Sequence, residues 1–166
     1  MVFKVSFKET AKSPSKVITK YGSLTEITLK GTVALPPFWH HIPEDIMEWL
    51  RNSKKVELYV DVSRNILYVF SVGKSRCRED DKYDSLLGER LAEARAKYCI
   101  YKVFYDLTIK LYDYYGRIMF GDEGLVDSGH GSCLAQDMKK YEDLCIREAH
   151  HIGELLASKD NGGSDS

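Results

Sequence analysis

One stretch constrains this chain more than any other. Between Glu89 and Tyr115 there is neither proline nor glycine, and Leu87, Leu91, Ala94, Tyr98, Tyr101 and Tyr105 recur every three or four residues. That is the period of a helix with one apolar face. The pattern predicts a helix over residues 85–115, with Asp81 or Asp84 as its cap. At 1.5 Å per residue such a helix is about 46 Å long. A compact globule of 166 residues has a radius of gyration of about 15 Å, hence a diameter near 40 Å. The helix must therefore project, bend or run through a dimer interface. The run VFYDLTI, 103–109, is rich in weak helix formers and is the expected place for a bend.

A second helical pattern follows a glycine-rich connection. Gly116, Gly121, Gly124, Gly129 and Gly131 fall within sixteen residues, which is long for a helix–helix loop and marks it as mobile or functional. Ser132 is the expected cap. Leu134, Met138, Tyr141, Cys145, Ala149, Ile152 and Leu156 then make the stripe. The final KDNGGSDS reads as a disordered tail. Antiparallel pairing lets each long helix bury its stripe on the other and on one face of a sheet.

The N-terminal part has the other period. VFKVSF, 2–7, alternates apolar and polar as a half-buried strand does, and TAKSPSK, 10–16, reads as loop. Residues 17–21 and 24–30 form a hairpin across Gly22-Ser23, with Gly31 expected at a bulge or turn. The Pro36-Pro37 pair ends any strand. Pro43 opens a short helix with Glu44 and Asp45 in its first turn. Ile46, Met47, Trp49 and Leu50 supply its apolar side, and it should stop near Asn52. Residues 56–62 and 65–72 make the clearest hairpin, with Val56, Leu58, Val60 and Val62 on one face. Gly73 and the polar run after it are expected to close the sheet. The fold class is therefore α+β: a small antiparallel sheet with a short helix, followed by a long antiparallel helical hairpin. The expected parts are a β-rich unit over 1–75, the hairpin over 76–158 and a tail over 159–166.

Composition removes several function classes. At 43% hydrophobic and 30% charged residues, wholesale disorder is excluded. No run approaches 18 apolar residues, so a membrane span is not expected. The first residues lack the apolar core of a secretory peptide. Cys77, Cys99, Cys133 and Cys145 contain no CxxC and are expected as reduced thiols in a cytoplasm. Net charge is −1, but residues 1–60 carry nine Lys/Arg against six Asp/Glu, and residues 61–166 carry fifteen against nineteen. The basic N-terminal strands, with Lys12, Lys16 and Lys20, either meet nucleic acid or keep a strand edge soluble.

No motif supports catalysis. HGSC, 130–133, sets His130 and Cys133 beside a glycine-rich loop, where a nucleophile or metal ligand is conceivable, but loop and cap structure accounts for it. Adjacent histidines on a helix point about 100° apart, so His150-His151 is poorly arranged for one ion. His40-His41 follows Phe38-Trp39 and suits aromatic packing. VGKS, 72–75, lacks the upstream glycine of a phosphate loop. The chain is thus expected to be no enzyme and to need no cofactor and no metal. Glu79, Asp80, Asp81 and Asp84 form an acidic cluster that serves a turn and caps, holds a divalent cation without the spacing of a calcium loop, or imitates phosphates toward a basic partner. Eleven tyrosines are present, and six lie from Tyr98 to Tyr115. They make either a wide core face or an interface.

The segment GKSRCREDDKYDSLLGERLAEARAK, 73–97, resembles one found in small accessory proteins of bacteriophages and prophages. The corresponding residues are Gly73, Cys77, Asp81, Tyr83, Asp84, Gly88, Leu91, Ala92 and Arg95. The resemblance implies a phage or mobile-element origin, and a host bacterial cytoplasm as the setting. Such proteins often block a host defence enzyme without catalysis. The expected function is accordingly an anti-CRISPR-like inhibitor of a bacterial defence nuclease, acting by occlusion or allosteric locking. Its partner would be a defence protein or ribonucleoprotein, with a homodimer as a further possibility. The contact residues would be Glu79, Asp80, Asp81, Tyr105, Tyr112, Tyr114 and Tyr115. The alternatives are a nucleic-acid-binding accessory protein using Lys12, Lys16 and Lys20, and a structural or housekeeping phage protein. The segment also has a plain physical reading: Gly88 costs about 1 kcal/mol in a helix relative to Ala and permits close approach to the sheet.

Overall fold

The computed structural model describes residues 3–7, 15–34, 42–77, 84–116 and 129–161. Among the described residues five strands and three helices follow one another as β1 (Val5–Ser6), β2 (Lys16–Tyr21), β3 (Leu24–Ala34), α1 (Glu44–Arg51), β4 (Glu57–Asp61), β5 (Ile66–Arg76), α2 (Ser85–Tyr114) and α3 (Gly129–Asn161). The architecture is the expected α+β one.

The sheet is antiparallel and built on two long strands. β3 pairs with β5 over its whole length, Leu24 opposite Arg76 and Ala34 opposite Ile66. β4 lines the other edge of β5. β2 and β1 share the other edge of β3, at Leu24–Leu29 and at Thr32–Val33. Gly22 makes the β2–β3 turn with φ +56°, a backbone that other residues adopt only at a cost. In the β4–β5 turn the Asp61 carboxylate accepts bonds from Ser63 Oγ (2.7 Å) and the Arg64 N–H (3.2 Å). Val62 sits in this turn and is 75% exposed, so it is not on the buried face with Val56. Gly31 forms neither bulge nor turn. It lies within β3 opposite Val69, where an added Cβ would stand 2.8 Å from Val5 Cγ1 and 3.0 Å from Val69 Cγ1.

Of the helices, α1 forms as expected, with Glu44 and Asp45 in its first turn and Ile46, Met47 and Leu50 buried. Pro43 stands one place earlier than expected, as the N-cap. The second helix, α2, is capped by Asp84, whose carboxylate accepts from the Leu86 and Leu87 N–H groups. It runs unbroken through 103–109, because Val103, Phe104, Leu107 and Thr108 are all buried there. Burial holds residues of weak intrinsic propensity in a helix.

The layers differ from the expected arrangement. α2 lies between the sheet and α3, whereas α3 packs on α2 and has no extensive contact with any described strand. Its reach to the sheet side goes through Phe3. The Tyr141 hydroxyl donates to the Phe3 carbonyl at 2.6 Å, and the Phe3 N–H donates to Asp137 Oδ2 at 3.2 Å. Phe104 is 5.3 Å from Phe3 and 5.7 Å from Tyr141. Leu91 and Ala94 meet Leu155 at the far end, so the helices run antiparallel. α3 begins at Gly129, ahead of the expected Ser132. Its buried positions include Leu134, Tyr141, Glu148 and Leu155, a seven-residue repeat suited to a helix partner. Ala149 and Leu156, expected on the stripe, face outward. Position in the repeat, not hydrophobicity, brings Glu148 inward.

The face of the sheet under α2 is graded. Paired across β3 and β5 are Thr25 with Ser75, Ile27 with Gly73, Leu29 with Ser71, Gly31 with Val69 and Val33 with Leu67. All ten are buried. α2 answers with Gly88, Ala92 and Ala96 at spacing four, then Ile100, Leu107 and Leu111. A Cβ on Gly73 would lie 1.8 Å from the Ala92 carbonyl oxygen. Small side chains on both elements thus let the helix backbone approach at the Arg76 end. Gly73 does not close the strand, which continues to Arg76, where Arg95 donates to the Lys74 carbonyl at 2.6 Å.

Candidate binding surface

Alternation puts the other half of each strand on the opposite face, and no described helix packs there. β5 contributes Ile66, Tyr68, Phe70 and Val72. Opposite Tyr68 stand Thr32 on β3 and Tyr59 on β4; opposite Phe70 stand Lys30 and Glu57. Val17, Thr28 and Val72 make the next row, and Glu26 opposes Lys74 beyond it. Tyr59 is 62% and Val72 47% exposed, while Tyr68 and Phe70, on a central strand, are half-buried. The Tyr59 and Tyr68 rings stack at 6.1 Å. Lys30 Nζ lies 4.8 Å over the Tyr68 ring, a cation–π geometry. Lys74 and Glu26 pair at 2.7 Å. The large rings are therefore on the open face, and the glycines and serines are under the helix.

The sequence-predicted residues fall elsewhere. Tyr105, Tyr112 and Tyr114 are half-buried against the core, and Tyr115 is 6% exposed. Burial, and secondarily Tyr114, raises the Tyr115 hydroxyl above its ordinary pKa. Tyr105, Tyr112 and Tyr114 thus pack on the core with part of each side chain still accessible. Glu79, Asp80, Asp81 and Lys12 lie outside the described residues. Lys16 and Lys20, on edge strand β2, reach over to α2: Lys16 meets Glu93 at 3.1 Å and Lys20 meets Glu89 at 2.6 Å. The Lys20 hydrogen bond holds Glu89 below the usual carboxylate value. Burial works to raise Glu93, but hydrogen bonds from Lys97 and Lys16 outweigh it and leave that carboxyl lowered as well.

The candidate chemical groups are dispersed. Cys133 is half-buried against the core. Burial pushes the Cys145 thiol up to about 11, so it stays protonated and inert at neutral pH. His150 and His151 are exposed, with His150 Nδ1 3.5 Å from Glu154. Among the described residues no three His, Cys, Asp or Glu side chains are placed to hold a metal ion, and no helix is long and apolar enough to cross a membrane. Two grooves along α2 and α3 carry Arg90, Lys97 and Arg147 alongside Glu93, Asp143, Glu148 and Glu154, charges of both signs interspersed.

The signal for the open face was in the sequence. Ile66-Leu67-Tyr68-Val69-Phe70 is apolar at five successive positions, which in a strand means apolar on both faces. Comparison with protein-family models, with curated proteins and with solved structures finds no match.

Proposed function

We propose that this protein acts by binding rather than by catalysis, and that the open face of its sheet is the working surface. One observation carries the reading. The covered face holds Ile27, Leu29, Val33, Leu67 and Val69 and, toward Arg76, only Gly73, Ser71, Ser75 and Thr25, while Tyr59, Tyr68, Phe70 and Val72 are on the face without a described cover. The core under α2 does not account for these further large side chains on the other face, where burial of each would stabilise by about 1.5–3 kcal/mol. Contiguous exposed apolar groups mark interaction sites.

The test uses the tagged full chain, a Tyr59→Ser/Phe70→Ser variant and an Asp80→Lys/Asp81→Lys variant in bacterial lysate. Whatever the parent chain recovers in stoichiometric amount should be lost by the sheet variant and kept by the acidic-turn variant, with thermal unfolding confirming that each is folded. The opposite pattern would overturn the surface assignment. It would select instead the nuclease-inhibitor reading, whose contact residues are Glu79, Asp80 and Asp81.

A further inference from the structure

We propose that the occupant of the open face is a second copy of this chain, the two sheets stacked face to face about a two-fold axis that runs between β3 and β5, parallel to the strands. This rests on the reading of that face as the working surface. The charges of the face cancel: Lys30, Lys74 and Arg76 stand with Glu26, Glu57 and Asp61. Such a face selects neither a polyanion nor a polycation. It suits a partner that carries both signs in the matching pattern, and a copy of itself does.

The register supplies the pattern. β3 and β5 are 11 residues each and pair end to end. An axis between them lays every cross-strand pair over the same pair reversed. Glu26, opposite Lys74 within one sheet, then meets Lys74 of the second copy, and Lys74 meets its Glu26. Four charges alternate around one point. Another row runs Lys30, Phe70, Glu57 across β3, β5 and β4. Reversal lays Lys30 over Phe70 of the second copy, one strand spacing from its Glu57. The centre of a protein–protein interface is depleted in lysine, but here Lys30 enters with the Tyr68 ring already under it and a carboxylate beside it. The row between these two sets Thr28 against Val72, and the rows beyond set Thr32 against Tyr68 and Ala34 against Ile66.

Size and shape agree with this occupant. At about 3.4 Å by 4.8 Å per residue the five strands span about 570 Å². Two copies then bury about 1,100 Å² before the relief of the side chains is counted, which clears the roughly 1,000 Å² that a specific interface needs. Stacked antiparallel sheets lie about 10 Å apart with their inner side chains interdigitated. That spacing places the half-buried Tyr68 and Phe70 and the exposed Tyr59 and Val72 inside a sandwich whose outer layers are the helices.

The experiment is sedimentation equilibrium of the full chain between about 1 and 100 μM, where the weaker interfaces of this size dissociate. The parent chain should form a dimer. Phe70→Lys should raise its dissociation constant about thirtyfold or more. Lys74→Glu and Glu26→Lys should each raise it about tenfold or more, because each brings four like charges together. An equimolar mixture of those two variants should regain the parent affinity, since each supplies the sign that the other lacks. Circular dichroism should show every variant folded. A parent chain that stays monomeric, a dimer indifferent to Phe70→Lys, or charge variants that mixing does not rescue would each overturn the inference. If the chain is monomeric and the lysate partner is still lost with Tyr59→Ser/Phe70→Ser, the surface reading stands and only this inference falls. If the chain is monomeric and that variant loses nothing, both fall.

Discussion

The two faces of this sheet are made by the same strands and are built on opposite principles. Under α2, β3 and β5 present small residues at the Arg76 end and branched aliphatics at the Ile66 end, and the helix matches them from Gly88 to Leu111. On the far face the same strands carry rings, a lysine and threonines, without a matching described element. Facing residues shape the first, down to one missing Cβ at Gly73. The second has side chains larger than its own packing requires. The difference separates positions chosen for the fold from positions available to a partner.

The sharpest way to break this comparison is to add the same kind of bulk to adjacent positions of β5. Gly73→Val would drive a Cβ into the Ala92 carbonyl, and backbone cannot step aside as a side chain can. The expected loss is about 3 kcal/mol or more, a fall in melting temperature of about 6–12 °C. Val72→Leu, one residue away on the open face, should change stability by less than about 0.5 kcal/mol. Equal shifts in thermal unfolding would mean that both faces are packed.

A smaller contrast uses two tyrosine hydroxyls. Tyr141→Phe removes a buried donor to the Phe3 carbonyl and should cost about 1–1.5 kcal/mol by denaturant unfolding. Tyr59→Phe, on the open face, should be neutral. Asp84→Ala tests how α2 is started above the small end of the sheet; loss of the cap should cost about 1 kcal/mol.

The smallest effect concerns the edge clamp of Lys16 and Lys20 on Glu93 and Glu89. Both carboxyls are lowered in the folded chain. A carboxyl lowered on folding stabilises above its unfolded value and loses that contribution as pH falls toward the folded one. The Glu89→Gln/Glu93→Gln variant should therefore melt slightly below the parent chain at pH 7. The gap should shrink as pH drops below the ordinary 4.5 of a glutamate. Exposure and salt keep it modest. A gap that widens in acid would contradict the pairing.

Much of the fold was legible because it rests on local periodicity. α2 was readable from its spacing and Asp84 from its place before it, and both hairpins followed from alternation and turn residues. What escaped depends on partners distant in sequence. Gly73 reads as a strand end until Ala92 is known to lie over it. The ridge Gly88, Ala92, Ala96 was visible as small residues four apart, but larger residues at 87 and 91 drew the stripe to another side of the helix. On α3 a hydrophobicity criterion selects Ala149 and Leu156 and passes over Glu148, which the repeat against α2 turns inward. The tyrosines of α2 attract notice by number. Tyr59 and Tyr68 attract none, and only the strand register shows that they share a face.

Hydroxyl-radical footprinting of the full chain, read by mass spectrometry at concentrations low enough to exclude self-association, tests the central claim most directly. Tyr59, Tyr68 and Phe70 should be oxidised readily, while Phe3, Phe104 and Tyr141 stay protected. Tyr68 and Phe70 as unreactive in the free chain as Phe104 and Tyr141 would show that the chain covers this face itself, and would contradict the account.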